Sequence, residues 1–287
     1  MTRTLDGAAL ARRVEAGWAH AGAESARSYG RSRPEAGVAV EAVGGGVAAY
    51  FGPGSPLSQA QGLGLDGPVS DDDLGRLEAF FDARAAATAV EVASLADPGL
   101  LPALSRRGYT AAEQTHVLVR PLASGDADGV GAGDGESTPL VSRVDGAVDR
   151  AAWVSALLRG FFEGPGEPPE GMAGVMEATA EAVSAGASAW LARLAGAPAG
   201  GATLIVNART ALFAGDATPA PFRRRGVQTA LIRARLAEGA RLGCDLAAVC
   251  TQPGSASQRN YERAGFRLAY ARTLMVREPL RTPESAR

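Results

Sequence analysis

Three consecutive arginines and a glycine, Arg223-Arg224-Arg225-Gly226, followed by Val227-Gln228-Thr229, stand between an apolar run (residues 210–217) and a long helical pattern (residues 227–242). A glycine before a helix lets the backbone turn sharply, the amides of the first turn have no partner, and the helix dipole favours an anion there. The chemistry implied is capture of a polyphosphate, with the arginines fixing it. A solvated basic loop is the alternative. Asp216 and Tyr261 add a carboxylate at a strand end and a phenol on a short helix, and Ser257 and Asn260 share that helix.

These groups need a frame, and the pattern downstream supplies one. Residues 245–250 read as a buried strand, Pro253-Gly254-Ser255 as a turn, residues 257–264 as a short helix, and Gly265-Phe266 as a helix stop entering another strand. That order, with its helix ending Tyr261-Glu262-Arg263-Ala264-Gly265-Phe266, resembles the GCN5-related N-acetyltransferase superfamily. The family pattern is Gln/Arg-x-x-Gly-x-Gly/Ala, then Tyr-Glu-Lys-x-Gly-Phe after the next strand. Arg223, Gly226 and the Tyr261 segment match it. Gln228 departs from it and is tolerable if its side chain points away. Ala220, flanked by Pro219 and Pro221, stands where the family often has a proline.

The resemblance implies that the strands on either side of the Arg-rich loop and its helix splay apart and that acetyl-CoA enters the wedge. Main-chain groups of Asp216, Ala217 and Thr218 would align the pantetheine. Arg223 and the amides of Arg224, Arg225, Gly226, Val227, Gln228 and Thr229 would hold the pyrophosphate. Ser257 and Asn260 either bond the cofactor arm or cap and solvate their helix. Tyr261 is the candidate acid for the departing thiolate, with a half-buried aromatic packing on the sheet as the alternative, and an N–H near Ala217 would serve the oxyanion. For the base, Glu177 and Glu181 share a helix face but read equally as solvated surface. Asp216 lies nearer the thioester, and proton loss through water needs no base at all. The function implied is N-acetyl transfer to a small-molecule or peptide amine by direct attack in a ternary complex, with acceptor contacts expected in the loop 163–171. A non-catalytic CoA-binding or regulatory module is the alternative. A nucleotide-binding loop of the Gly-x-x-x-x-Gly-Lys-Ser/Thr type is excluded, since the chain has no lysine.

The two halves of the chain echo each other. Arg107-Gly108-Tyr109 and Ala264-Gly265-Phe266 are both helix stops, followed at the same distance by Val119-Arg120 and Val276-Arg277. Residues 90–95 before Pro98-Gly99 match residues 246–251 before Pro253-Gly254, at an offset of about 155 residues. The same offset sets Ser70-Asp71-Asp72-Asp73 opposite Gly226-Val227-Gln228-Thr229. Ser70 is an N-cap with a carboxylate three residues on, which favours the helix and repels a pyrophosphate. The expected fold class is therefore α/β, with two tandem acetyltransferase-like domains, each a mixed, mostly antiparallel sheet flanked by helices. The expected domains are a degenerate one over 1–122, a flexible Gly/Asp/Ser linker over 123–137, and an acyltransferase domain over 138–287. Within the last, a strand at 139–144, helices at 149–161 and 172–183, and a meander of strands at 188–194, 202–207 and 210–217 are expected, with turns at 197–201 and 208–209. Residues 51–68 read as a long loop.

A net charge of −2 with 46% hydrophobic residues points away from bulk nucleic-acid binding. No signal-like segment or apolar run of membrane-spanning length occurs near residues 1–10, so a cytoplasmic protein without membrane contact is expected, as a monomer or homodimer. Cys244 and Cys250 are read as small core residues, spaced for neither a disulfide hairpin nor zinc, and no metal is expected. His20 and His116 lie in the other half of the chain. The absence of lysine also excludes Schiff-base chemistry and self-acetylation on lysine.

Overall fold

Two α/β units make up the chain in the computed structural model, which describes residues 6–128, 138–162 and 187–279. The first unit comprises Met1–Thr115 with Tyr270–Arg287, and the second comprises His116–Ala269.

In the first unit, helix α1 (Gly7–Ser32) starts at Asp6, whose carboxylate accepts from the Ala9 amide at 2.7 Å. Strands β1 (Ala39–Val43) and β2 (Gly46–Tyr50) form a hairpin turned by Gly44 and Gly45, both at positive φ. Gly46 has no alternative, because a Cβ there would fall 2.2 Å from the Gln61 carbonyl oxygen. The expected loop 51–68 holds a short strand, β3 (Gln59–Gln61), antiparallel to β2 and parallel to β4 (Thr88–Ala93) at Ala60 and Val90. Helix α2 (Asp71–Asp82) begins as its sequence requires: the Ser70 hydroxyl accepts from the Asp73 amide at 3.1 Å and donates to its carboxylate at 2.7 Å. Leu74, Leu77 and Phe81 form its buried stripe, against Val90 and Val92 of β4. Helix α3 (Leu100–Arg106) follows, and β4 gains an antiparallel neighbour from residues 272–277 of the C-terminal strand.

Strand β5 (Thr110–Pro121) crosses the boundary between units, its residues 116–121 pairing antiparallel with β10 (Leu246–Thr251) in the second unit. Each unit thus closes its sheet with a segment from the other half of the chain, where the sequence suggested cuts at 122 and 138. The helix-stop signals at Gly108 and Gly265 are local; which strand pairs after them is not. The expected linker begins with a 3-10 turn (Ser124–Asp128), in which Asp126 accepts from the Ala123 amide at 2.9 Å and pairs with Arg120. Residues 129–137 lie outside the described residues.

The second unit's sheet runs β6 (Leu140–Arg143), β7 (Ser188–Leu194), β8 (Ala197–Asn207), β9 (Thr210–Ala217), β10 and residues 116–121. The meander β7-β8-β9 is antiparallel and β10 is parallel to β9. The turn expected at 197–201 is instead the dipeptide Ala195-Gly196, both at positive φ, and residues 197–201 pair with β7. Their glycines serve packing. A Cβ on Gly200 would sit 2.6 Å from Val227 of α5 (Val227–Arg241), and one on Gly201 would sit 2.9 Å from Trp153 of α4 (Gly146–Phe161), so the two helices cover opposite faces. Helix α6 (Ala256–Arg263) is capped by Ser255 and leads into β11 (Arg267–Arg277). The expected loop 163–171 and helix 172–183, with Glu177 and Glu181, lie outside the described residues. No described helix is long and apolar enough to cross a membrane, and no group of metal-ligating side chains occurs among the described residues.

Candidate functional site

Strands β9 and β10 pair only from Thr210 and Leu246 to Phe213 and Val249. Beyond that they part. Two residues of β9, Gly215 and Asp216, stand opposite the single residue Ala202 of β8, between the pairs Ala214–Thr203 and Ala217–Gly201. This is a bulge, and Gly215 takes it at a φ of 61°. A bulge bends its own strand, so β9 turns away from β10 and leaves residues 214–217 without a strand on that side. The ladder between β9 and β10 thus ends just before the bulge at Gly215, where the sequence resemblance implies a wedge.

Helix α5 begins at the mouth of the wedge. Gly226, at a φ of 78°, is its N-cap, and no side chain caps the first-turn amides. Arg224 also adopts a positive φ of 59°, a conformation that disfavours any Cβ and that the loop enforces. Arg223 turns back, its Nε donating to the Thr218 carbonyl at 3.1 Å. Arg224 and Arg225 are exposed, and no carboxylate among the described residues pairs with either. The Gln228 side chain does point away from the helix start: it donates to the Ser257 hydroxyl at 2.9 Å and accepts from the Asn260 amide. Ser257 and Asn260 therefore bracket α5 to α6, and Asn260 also accepts from Arg263.

Asp216 and Tyr261 meet, around a residue the sequence reading missed. Arg235, with no exposed surface, forms a double ion pair with Asp216 and also donates to the Tyr261 hydroxyl at 3.1 Å. Tyr261 donates its own proton to Asp216 at 2.7 Å. The tyrosine ring is enclosed edge-on by Phe213 and Phe266, at centroid distances of 6.1 and 5.0 Å. Its side chain is wholly buried, which corrects the picture of a phenol open to a leaving thiolate: the hydroxyl is committed on both sides. Arg235 was legible in one respect. Val227, Leu231 and Arg235 fall at i, i+4 and i+8, which puts an arginine on the buried stripe of α5.

Burial pushes the Tyr261 phenol well above its ordinary value and that of Tyr109 in the first unit up to about 12. Both ionise later in the folded protein than in the unfolded chain. The stability they confer is whole below pH 10 and falls as the pH rises above it, for Tyr109 until about 12. Urea midpoints should be level from about pH 8 to 9.5 and fall steadily above about pH 10; a level midpoint up to about pH 11 would contradict the burial of these phenols.

Cys250, partly exposed, is the first residue of β10 beyond its last pair with β9, whereas Cys244 is buried. On the other face, Gly160 of α4 lies so close to the end of β9 that a Cβ would come within 2.7 Å of Ala217 and 2.9 Å of the Thr218 amide nitrogen.

No family model and no curated protein matches the sequence. Solved structures do match the fold. A GCN5-related N-acetyltransferase from Kribbella flavida is 19% identical over 93% of this chain and 98% of that one, with a TM-score of 0.62. A tandem GNAT protein from the clavulanic acid biosynthesis pathway is 17% identical over 85% of this chain and 84% of that one, with a TM-score of 0.58. A putative acetyltransferase of the GNAT family from Novosphingobium aromaticivorans is 19% identical over 88% and 95%, with a TM-score of 0.50.

The fold is that of a tandem GCN5-related N-acetyltransferase.

The two copies of the acetyltransferase fold differ where the wedge opens. In the first, Gln61 and Glu91, one residue beyond the Ala60–Val90 pair, join side chains at 2.8 Å, and the Gly64 carbonyl accepts from the Asp97 amide at 2.7 Å. Its helix start carries Asp71, Asp72 and Asp73 and is capped by Ser70. The second copy has the bulged strand, the uncapped helix start and the arginines.

Proposed function

We propose that the second unit binds acetyl-CoA and transfers its acetyl group to an amine, supplied by a small molecule or a peptide, by direct attack in a ternary complex. The observation that carries this reading is the convergence of a free strand edge, residues 214–217, with the uncapped start of α5 at one mouth. The amides of Val227, Gln228 and Thr229 and the guanidinium groups of Arg224 and Arg225 suit a pyrophosphate. Main-chain groups of Asp216, Ala217 and Thr218 suit the amides of a pantetheine arm. Held at both ends, the thioester meets its acceptor in one orientation instead of by chance encounter.

The amine nitrogen attacks the thioester carbonyl. Addition forms the C–N bond and a tetrahedral oxyanion, whose collapse breaks the C–S bond; the ammonium proton passes to water at the wedge, and the thiolate takes a proton from water. A main-chain N–H near Ala217 is the candidate donor to the oxyanion. Tyr261 takes no direct step in this reading: its hydroxyl keeps its proton and donates it in a hydrogen bond to Asp216. That same burial is what favours the second reading, a CoA-binding module without turnover, because it leaves the thiolate no phenol to take a proton from.

Three measurements on the full chain separate the readings. Acetyl-CoA should bind by calorimetry at one molecule per chain, given the acidic, capped helix start of the first unit. It should slow alkylation of Cys250 by N-ethylmaleimide. Thiol release against an amine panel should then find turnover. Binding and protection without turnover on any amine would leave the module; absence of both binding and protection would sink both readings.

A further inference from the structure

Arg235 sits two turns and more along α5 from the proposed pyrophosphate end, about 13 Å from Gly226 at the rise of a helix. All five N–H groups of its guanidinium are spoken for. Nε donates to the Leu231 carbonyl at 3.1 Å, Nη1 to the Thr203 carbonyl and to Asp216 Oδ2, each at 3.1 Å, and Nη2 to Asp216 Oδ1 and the Tyr261 hydroxyl. Its face lies on the Phe213 ring, 4.4 Å from the centroid.

The partners are what give this saturation meaning. Thr203 is the residue of β8 paired with Ala214, the last before the bulge, and Asp216 is the second of its two bulged residues. Where the ladder between β8 and β9 is interrupted, one guanidinium from α5 bonds both strands. A bulge strains its strand and leaves groups of the ladder without their regular partners. Arg235 supplies donors on one side and neutralises Asp216 on the other, with Tyr261 closing the ring of bonds.

Resting on the acyltransferase reading, we propose that Arg235 is a positioning residue of the transfer site: it bolts the β9 bulge to α5, so the wedge stands open before acetyl-CoA arrives and its edge is held in register with the helix start. The arginine touches no substrate. Its effect reaches the reaction through the set of the edge 214–217 relative to the amides of Val227, Gln228 and Thr229. A preformed wedge removes an ordering cost from binding.

Two variants test it. Arg235→Lys keeps the charge but cannot reach two strands with a planar fork. The triple change Arg235→Met, Asp216→Leu, Tyr261→Phe replaces the whole polar cluster by apolar groups, which in buried sites is often neutral for stability. With both proteins folded by circular dichroism and melting, the KM for acetyl-CoA should rise about tenfold or more, the loss expected from one or two misplaced hydrogen bonds. The KM for the amine should stay within about twofold, and calorimetric affinity for acetyl-CoA should fall in parallel. Should the triple variant fail to fold, Arg235→Lys alone decides. Folded variants with the wild-type KM for acetyl-CoA would overturn the proposal and leave the acyltransferase reading standing. A wild-type protein that neither binds nor consumes acetyl-CoA would overturn both.

Discussion

Arg272→Met should destabilise the protein by about 3–5 kcal/mol, the range for removing one partner of a buried ion pair. Glu15 on α1 is 0% exposed, and its Oε1 accepts from Arg272 Nε at 2.8 Å and from the Tyr270 hydroxyl at 2.5 Å. Arg272 Nη1 also reaches Glu91 at 3.0 Å. Without the guanidinium, two carboxylates of the first unit share one environment with no cation between them, and the deeper one cannot be hydrated without opening the core. Urea unfolding should show a large drop in midpoint with little change in slope. The paired change Glu15→Leu, Arg272→Met should recover most of the loss, since the penalty comes from the unpaired charge more than from the lost bonds. A single variant within about 1 kcal/mol of wild type would show that Glu15 is not held as described. The tie also joins the C-terminal strand to the first unit, which takes buried Tyr270, Arg272 and Met275 from it.

Arg225→Asp with Thr229→Asp should weaken acetyl-CoA binding on the order of 100-fold without weakening the fold. Both positions are exposed, one before and one within the first turn of α5. The change rebuilds there the acidic start that α2 carries at Asp71, Asp72 and Asp73. Carboxylates at a helix start favour its dipole by about 0.3–1 kcal/mol each, so thermal stability should hold or rise. The same charges oppose a pyrophosphate where an arginine would have attracted it, and a hundredfold corresponds to about 2.7 kcal/mol. Calorimetry and a thermal melt on the same sample check the two signs together. Affinity within about threefold of wild type would remove the pyrophosphate from this helix start.

Much of the second unit was legible because its signals are local. Strands 188–194 and 210–217 form with the bounds their alternation and turns predict, and α5 begins at Val227 because only Gly226 suits the left-handed cap. The Ser70 cap was equally plain. Gly200 and Gly201 misled in the opposite sense, reading as a turn when their missing side chains admit Val227 on one face and Trp153 on the other. Gly215 carries the one local signal of the bulge, an isolated glycine inside a strand pattern.

By itself, then, the sequence determined the tandem plan, the order of the described elements from residue 138 onward, and which half has a helix start without an acidic cap, since capping, turn chemistry and apolar period act between neighbours in the chain. The tertiary structure alone decided which strand closes each sheet, that Arg235 meets Asp216 and Tyr261, and that Ser257 and Asn260 turn toward Gln228. Those are encounters between residues far apart in sequence, 19 positions for Arg235 and Asp216 and 255 for Tyr270 and Glu15. Such encounters are set by strand pairing and core packing, where one buried charge or one bulge selects among partners that local rules leave equivalent.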